Sequence, residues 1–305
     1  MITVVRAGSL TTVQDQGRPG YAHLGVPRSG ALDLRALHHA NALVGNPPDA
    51  AGLETTLLGC ALRFTEPALV AVTGAHAVVK LDKVPVPAGV HEVGAGSVLD
   101  VGRASRGVRS YVAVAGGVDV EPVLGSRSTD TLSGLGPPKL IDGMILPVGS
   151  AGPALPGRFP PYVPDRLAAP ASSSSASASS SSDGVSARPV DGEISDEVVL
   201  GVWLGPRDDW FADGELFEAA YQVSPMSNRV GCRLTGAPLT RARHGELPSE
   251  GVVLGAVQVP ADGQPLIFLA DHPTTGGYPV IGVVDDVTAL AQARPGSTVR
   301  FRELR

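Results

Sequence analysis

The sequence predicts a mainly β protein made of two similar barrel-like halves, with a few short helices covering the barrel ends. Glycine and proline are frequent, with 38 glycines and 27 prolines among 305 residues. This frequency favours many short elements joined by turns over a helical bundle. Short valine-rich runs recur between the turns, at the spacing of a barrel or a sandwich.

Five apolar runs predict strands, because each is short, rich in β-branched residues and in most cases bounded by Gly, Pro or Asp. A sixth run, at residues 265–270, carries no charge and predicts a buried strand. The five runs are Leu69–Thr73, Ala77–Leu81, Val108–Val114, Val198–Trp203 and Thr298–Phe301.

Three stretches with apolar residues at helical spacing predict helices. The first extends from Leu32 to Val44, and Gly45 is suited to the position that ends it. Ser29 suits the N-cap and Asp33 the first turn, which explains both residues without a function. The alternative is that the amides of this helix start hold an anion. The other two helices are predicted at residues 213–220 and 286–293.

A low-complexity segment divides the chain. Residues 151–194 begin with prolines and continue into a run of serine and alanine, which predicts a flexible linker or loop. The folded halves are therefore predicted at 1–150 and 195–305. Similar segments recur in the same order in both halves, such as ETTLLG from Glu54 and EGVVLG from Glu250. This recurrence suggests one fold used twice.

Composition excludes several classes of partner. The net charge is −6 and the chain has only three lysines, so no basic stripe for nucleic acid is expected. No window approaches the roughly 18 apolar residues of a transmembrane helix, and Met1–Arg6 lacks the apolar core of a signal peptide. A cytoplasmic protein is expected. Cys60 and Cys232 are expected to be buried free thiols, so neither a disulfide nor a metal site is predicted.

The densest group of polar residues follows the predicted buried strand, in the segment DHPTTGGYP. Its side chains can donate and accept hydrogen bonds around one small polar molecule, and its two glycines permit a close approach. An ordinary turn at the strand end is the alternative. Gln258, in an otherwise apolar strand, must find a partner or a ligand. The polar residues and glycines of the segment are Asp271, His272, Thr274, Thr275, Gly276, Gly277 and Tyr278.

Charged residues elsewhere have both structural and functional interpretations. Arg229 and Arg233 are four residues apart and share a face if the backbone is extended. Either could bind a carboxylate bidentately, or both could be paired surface arginines. Asp15 and Arg18 could form an ion pair across the turn at Gly17.

Several catalytic motifs are missing from the sequence. It contains no Gly-Lys-Ser/Thr loop for nucleotide phosphates, no Met-Lys-Met segment for biotin attachment and no GxSxG nucleophile elbow. His38 and His39 are adjacent on the first predicted helix and point about 100° apart, so they cannot readily share a metal. The chain alone is therefore not expected to activate ATP or to carry biotin.

Several segments, found in order along the chain, resemble the allophanate hydrolase subunit 2 or biotin-dependent carboxyltransferase domain family. This family includes KipA, one of the subunits of the bacterial ATP-dependent 5-oxoprolinase and the carboxyltransferase part of urea carboxylase. The segments are Thr11–Asp33, Ala40–Asn46, Ser110–Thr129, SNRVGCRL at 227–234, Ser249–Pro265 and Asp271–Pro279.

The resemblance implies two tandem cyclophilin-like β-barrels and a KipI-like partner subunit, with room for a third subunit of the LamB/YcsF type. It implies a subunit of an amide hydrolase, with ATP-dependent opening of 5-oxoproline to glutamate as the preferred reaction. ATP would need the partner subunits. In this interpretation Asp271 and Tyr278 are the catalytic candidates. The substrate-binding candidates are Ser29, Asp33, Arg229, Gln258, Thr274, Thr275, Gly276 and Gly277.

Two other functions are compatible with the resemblance. One is carboxyl transfer from carboxybiotin on a separate carrier to urea or a similar amide. The other is a KipA-type regulatory protein that antagonises an inhibitor of a sensor kinase. The sequence departs from the family pattern at His272-Pro273, where Arg-Gln is usual, and at Thr131–Gly136, which shortens a glycine-rich stretch. These departures bear on the substrate more than on the fold.

Overall fold

The computed structural model describes residues 1–87, 89–151, 197–243 and 245–305, and it confirms the mainly β architecture. One sheet draws all its strands from residues before the serine-rich segment, and a closed barrel draws its strands from residues after it. The tandem barrels predicted from the sequence are thus present as a half-barrel and a closed barrel. Beyond residue 151, the linker predicted at 151–194 lies outside the described residues.

The first sheet has nine strands, and all of its pairings are antiparallel. The strands are β1 (Ile2–Arg6), β2 (Thr11–Gln14), β3 (Gly52–Thr56), β4 (Cys60–Phe64), β5 (Ala68–Leu81), β6 (Val84–Val86), β7 (Gly89–Val93), β8 (Val98–Val114) and β9 (Ile145–Leu146).

The long strand β8 organises this sheet. One end of β8 pairs with β4 and the other with β3, while β5 runs along almost its whole length. The two strands predicted at Leu69–Thr73 and Ala77–Leu81 are therefore one strand. The register shifts three times between Gly74 and Val79, where the extra residues of β8 are accommodated without ending the pairing of the two strands.

The second sheet closes into a seven-stranded barrel in the order β10-β17-β14-β15-β12-β11-β18. Closure depends on β10, which pairs antiparallel with β17 and parallel with β18. The strands of the barrel, with the separate pair β13 and β16, are β10 (Glu197–Leu204), β11 (Ala220–Val223), β12 (Gly231–Thr235), β13 (Glu250–Gly251), β14 (Ala256–Gln258), β15 (Leu266–Phe268), β16 (Thr275–Gly276), β17 (Val280–Val284) and β18 (Thr298–Glu303).

Three short α-helices are present among the described residues, each shorter than predicted. The middle one is a single turn because Ala220 already pairs with β18 as part of β11. No described helix is long and apolar enough to cross a membrane. The helices are α1 (Leu34–Leu43), α2 (Glu215–Glu218) and α3 (Thr288–Gln292), with 3-10 turns at Ala22–Leu24 and Asp208–Trp210.

The N-cap of α1 is Asp33, and the prediction that Ser29 caps this helix is wrong. The Asp33 Oδ1 atom accepts a hydrogen bond from the Ala36 amide at 2.9 Å. Ser29 lies a full turn earlier in a tight loop, with a left-handed φ of 56°. The backbone of Ser29 therefore cannot lead directly into the helix, and Asp33 supplies the capping oxygen instead.

The two halves pack closely against each other. Leu32, which precedes α1, is buried in the hydrophobic core of the barrel. Arg109 of β8 donates a hydrogen bond to the Ala291 carbonyl of α3 at 2.6 Å. Cys60 and Cys232 are buried and free, as predicted, one in each half. The packing brings β3 against the turn before β12, and β8 against α3.

Candidate functional site

A buried ion cluster joins the two halves of the chain. Arg229 lies in the turn before β12, Asp271 follows β15, and Glu54 lies in β3. The Arg229 guanidinium donates two hydrogen bonds to Asp271, both of 2.9 Å. Its Nη1 atom binds Glu54 at 2.5 Å, and its Nη2 atom also binds the Gly30 carbonyl at 2.6 Å. One guanidinium therefore holds carboxylates from both halves.

Burial makes this cluster electrostatically strong. The side chains of Arg229, Glu54 and Asp271 are 1%, 1% and 0% exposed. Burial alone would lower the pKa of Arg229, but the carboxylates of Glu54 and Asp271 outweigh it and raise the pKa. Thr131 also donates to Asp271 through its amide at 3.0 Å and its hydroxyl at 2.6 Å. Asp271 is thus fully engaged inside the protein.

Tyr111 of β8 connects the ion cluster to the start of α1. Its hydroxyl donates to Glu54 at 2.8 Å and accepts from the Asp33 amide at 2.8 Å. Burial and the nearby Glu54 carboxylate raise the pKa of Tyr111 well above its ordinary value, so the hydroxyl remains a donor at neutral pH. The ring packs against Ala31, Ala36 and Leu37, which places the helix over the sheet.

Asp33 also links the two halves. Its Oδ2 atom accepts a hydrogen bond of 2.9 Å from Gln292 of α3. The Gln292 side-chain oxygen accepts from the amides of Val108 and Arg109 at 2.9 and 3.1 Å. Burial raises the pKa of Asp33 despite these hydrogen bonds. The substrate-binding role predicted for Asp33 stays a prediction, since both of its oxygens serve as acceptors within the fold.

A second buried cluster surrounds Ser29. Its hydroxyl accepts a hydrogen bond from Arg18 at 3.0 Å and donates one to Asp130 at 2.9 Å. Arg18 also binds the backbone carbonyls of Val123 and Ser128. Burial lowers the pKa of Arg18, while Asp130, Asp15 and Asp271 act in the opposite direction. The cluster fixes the loop that carries Ser29.

Asp15 and Arg18 bind different partners, contrary to the ion pair that their spacing suggests. The Asp15 carboxylate accepts hydrogen bonds from the hydroxyls of Ser126 and Ser128 at 2.6 and 2.5 Å. It also accepts a hydrogen bond of 2.8 Å from the Gly17 amide, which closes the turn. The side chain of Arg18 points instead to Ser29. Asp15 therefore binds the hydroxyls of Ser126 and Ser128, while Arg18 connects the Ser128 carbonyl to Ser29.

A small cleft opens above these clusters, between the first half and the barrel. Its volume is about 170 Å³. The Ser29 amide closes its base by donating to the Ala270 carbonyl at 2.9 Å. A larger cavity of about 420 Å³ lies away from the ion clusters, at the loop that carries Asp262 and Gly263. The cleft is lined by Gln16, Arg28, Ser29, Ala31, Leu32, Leu34, Leu254, Ala270, Val284, Asp285, Asp286, Val287 and Thr288.

The polar residues of the segment DHPTTGGYP do not converge on one point. Asp271 points into the ion cluster, whereas Tyr278 is 51% exposed and Thr275 lies on the surface. Thr275 and Gly276 form strand β16, which pairs with β13. Gln258 finds its partner within the fold, since its amide donates to the Tyr278 carbonyl at 3.1 Å. The catalytic roles of Asp271 and Tyr278 stay predictions.

The remaining candidates divide between the interior and the surface. Arg229 is buried, while Arg233 is exposed, so the two arginines do not act as a pair. Gly276 lies against the Gln258 side chain, and a Cβ atom there would be 2.5 Å from its amide nitrogen. Thr274 is half-buried and Gly277 exposed. A substrate that used this surface would meet backbone and hydroxyl groups rather than Arg229.

His272 lies beside the ion cluster in a fixed tautomer. Its Nδ1 atom is 2.6 Å from the Pro273 carbonyl, so Nδ1 carries the proton and donates it. The imidazole is 6% exposed and packs at 5.7 Å from the Phe268 ring. Burial lowers its pKa, although Asp271 and Asp130 oppose this shift. His272 is therefore neutral at pH 7.

Sequence reasoning missed the partners that complete the site. Glu54, Tyr111, Asp130 and Gln292 were not singled out as site residues, although Glu54 stood in one of the repeated segments. The corresponding Glu250 lies at the surface, where it pairs with Arg207. A lone carboxylate in an otherwise uncharged strand was the signal that could have identified Glu54. Among the described residues, no cluster of His, Cys, Asp or Glu could hold a metal ion.

The chain belongs to the carboxyltransferase domain family, described as subdomains A and B, which it matches over residues 24–303. It is 37% identical to a 5-oxoprolinase subunit of Escherichia coli strain K12, over 99% of this chain and 90% of that protein. Urea amidolyase of Lachancea kluyveri is 33% identical over 98% of this chain, which corresponds to 16% of that protein.

A solved structure has the same architecture. The crystal structure of the K. lactis urea amidolyase superposes with a TM-score of 0.82 at 29% sequence identity. The match covers 100% of this chain and 19% of that one. This chain therefore corresponds to one region of a much longer enzyme in that case, and to most of a separate subunit in the bacterial case.

Proposed function

We propose that this chain is a subunit of a cytoplasmic, ATP-dependent hydrolase that opens 5-oxoproline to glutamate. The observation that carries the proposal is its 37% identity to a bacterial 5-oxoprolinase subunit over 99% of this chain and 90% of that protein. Correspondence along almost the full length of both chains favours the role of a separate subunit. A KipI-like subunit and a third subunit of the LamB/YcsF type would complete the enzyme.

The chemistry requires more than this chain. Lactam nitrogen is a poor leaving group, so the lactam oxygen would first attack the terminal phosphorus of ATP and release ADP. Water would then add to the activated carbon, and the ring nitrogen would leave as the amine, which gives an acyl phosphate. A second water would attack the carbonyl carbon of this acyl phosphate, break its C–O bond and release phosphate and glutamate. No Gly-Lys-Ser/Thr loop is present in the sequence. We therefore assign nucleotide binding to the assembled complex and substrate contacts to this chain.

Reconstitution tests the proposal. The chain is mixed with its KipI-like partner and the third subunit, and glutamate and ADP are measured with 5-oxoproline and ATP. The expected result is release of both products, lost when this chain is omitted. An Arg63→Gln variant, which changes an exposed arginine of β4, should support full activity. A stable complex that releases no glutamate would refute the substrate assignment.

Carboxyl transfer is the second candidate, and a specific observation favours it. The family is that of carboxyltransferase domains, and a urea amidolyase relative matches 98% of this chain at 33% identity. Biotin would have to arrive on a separate carrier, since the sequence has no Met-Lys-Met attachment segment. Removal of biotinylated protein with immobilised streptavidin separates the two candidates: carboxyl transfer stops, whereas opening of 5-oxoproline continues.

A further inference from the structure

The cleft between the first half and the barrel contains a cation with no partner among the described residues. Arg28 is exposed at its rim, and its guanidinium has neither a hydrogen bond nor an ion pair with any residue that the structure describes. By contrast, Arg18 and Arg229, which lie beneath the same loop, are fully engaged. Arg28 is thus available to bind an anion that enters the cleft.

The opposite wall of the cleft offers an acceptor. Asp285 is exposed at the end of β17, and its Oδ1 atom accepts the Asp286 amide at 2.9 Å. The other oxygen of Asp285 has no partner among the described residues. Both oxygens of the neighbouring Asp286 have partners, because one accepts a hydrogen bond from the Thr288 amide and the other forms an ion pair with Arg35. The available cation and the available carboxylate oxygen therefore belong to walls from different halves of the chain.

The lining of the cleft is mostly apolar, and the cleft is small. Leu32, Leu34, Leu254, Val284 and Val287 all contribute to its lining. Its volume of about 170 Å³ lies below the roughly 300 Å³ at which pockets for drug-sized ligands begin. The ligand must therefore be compact, with a short apolar body between an anionic end and a hydrogen-bond donor.

The backbone holds Arg28 in a fixed place. Ser29 and Gly30 both have a left-handed φ, of 56° and 93°. A non-glycine residue persists in this conformation when its surroundings over-determine it, and such strain concentrates at functional sites. The Arg28 carbonyl accepts the Arg18 amide at 2.7 Å, and the Ser29 amide binds Ala270. The loop is thus held from below by the buried clusters while the Arg28 side chain stays exposed at the rim.

We infer that this cleft binds a small amide that carries a carboxylate, with Arg28 binding the carboxylate and Asp285 accepting the amide N–H. 5-Oxoproline has both groups on one small ring, so the choice of this compound rests on the proposed function. The size and charge of the cleft stand independently of that choice. In this assignment the substrate lies above the Arg229–Asp271 pair, which positions the cleft walls without touching the ligand.

Binding to two matched ligands tests the inference. 5-Oxoproline and 2-pyrrolidinone share the lactam ring, but only the first has a carboxylate. The affinity of each is measured by ligand-observed NMR titration with the full chain and with the assembled complex. The parent should bind 5-oxoproline about tenfold or more tighter, the advantage expected for a hydrogen bond to a charged group. Arg28→Gln should abolish this preference and leave the affinity for 2-pyrrolidinone unchanged.

Two further variants complete the design. Asp285→Asn should weaken both lactams by a similar factor, since both present the same N–H. Arg63→Gln, a charge loss on an exposed strand away from the cleft, should bind like the parent. Equal preference in the parent and in Arg28→Gln would overturn the inference, as would the absence of binding to both the chain and the complex.

The outcomes separate this inference from the proposed function. If the complex opens 5-oxoproline and Arg28→Gln leaves KM unchanged, the cleft assignment fails and the function stands. If Arg28-dependent binding occurs but the complex forms no glutamate, the cleft stands as a carboxylate-amide site and the proposed function fails. A rise in KM of about tenfold in Arg28→Gln, with kcat retained, would support both.

Discussion

Arg229 binds Asp271 through two parallel hydrogen bonds, and with its remaining nitrogen it reaches Glu54 in the other half of the chain. This bidentate pair is buried, so removal of the guanidinium would leave Asp271 without its ion-pair partner and Glu54 with Arg109, at 3.5 Å, as its remaining ion-pair partner among the described residues. Through its bond to Glu54, the Arg229 guanidinium is therefore one of the contacts that hold the two halves together.

Arg229→Met should lower the free energy of unfolding by about 3–5 kcal/mol, the cost of breaking a buried ion pair from one side. Urea unfolding at pH 7.5 measures this loss. Arg233→Met is the matched control, because Arg233 is an exposed arginine four residues away. Its effect should stay within about 0.5 kcal/mol. A loss below about 1 kcal/mol for Arg229→Met would show that the pair does not hold the halves together.

Tyr111→Phe should lower the free energy of unfolding by about 1–3 kcal/mol, because Glu54 loses a buried donor and the Asp33 amide loses its acceptor. The ring packing against α1 is retained in this variant. Tyr278→Phe removes the hydroxyl of an exposed tyrosine and should change the same quantity by less than about 0.5 kcal/mol. Equal effects of the two variants would contradict the assigned role of the Tyr111 hydroxyl.

The lowered pKa of His272 predicts that the free energy of unfolding depends on pH. Its pKa is lowered from 6.5 in the folded chain, so below pH 6.5 the unfolded chain binds a proton that the folded chain does not. Stability should therefore fall as the pH decreases from 6.5 towards the folded pKa. Burial lowers the pKa of His39 as well, so part of this slope belongs to His39.

The His272→Gln variant isolates the contribution of His272. Urea unfolding at pH 7.5, 6.5 and 5.5 should give a shallower loss of stability for this variant than for the parent. Arg63→Gln, which changes an exposed arginine of β4 and removes no imidazole, serves as the control and should retain the parent slope. Identical slopes for the parent and His272→Gln would mean that His272 does not titrate abnormally.

The two thiols should be unreactive in the folded protein. Burial raises the pKa of Cys60 to about 12 and that of Cys232 to about 11, so little thiolate exists at neutral pH. Titration with a chromogenic disulfide reagent at pH 7.5 should label neither thiol within minutes, and both after unfolding in guanidinium. Fast labelling of the native chain would contradict the burial of these residues.

The sequence indicated which buried residues are important, but it did not predict which partners they bind. Asp271 and Arg229 were both selected, but their pairing spans 42 residues and depends on how β12 and β15 meet in the barrel. Local capping rules favoured Ser29 over Asp33, because these rules do not include the left-handed turn at Ser29. Contacts between distant segments decided both outcomes.

The ends of a strand were predicted well where they depend on the local sequence, and less well where they depend on pairing with other strands of the sheet. The ends of β10 and β18 lie close to the ends of the predicted runs, because a Val-rich segment bounded by turns can be recognised as a strand from the local sequence alone. The fusion of two predicted strands into β5 depends on its long partner β8, which tolerates the bulge after Gly74. Of the residues that line the cleft, only Ser29 was among the predicted site residues, because the walls come from both halves of the chain.

The fate of the lactam oxygen tests the central claim most directly. 5-Oxoproline labelled with ¹⁸O at the lactam carbonyl is incubated with ATP and the reconstituted complex, and the released phosphate is analysed by mass spectrometry. If ATP activates the lactam oxygen and the C–O bond then breaks, one labelled oxygen should appear in phosphate for each glutamate formed. Glutamate that retains all the label, or a complex that forms no glutamate, would contradict the account.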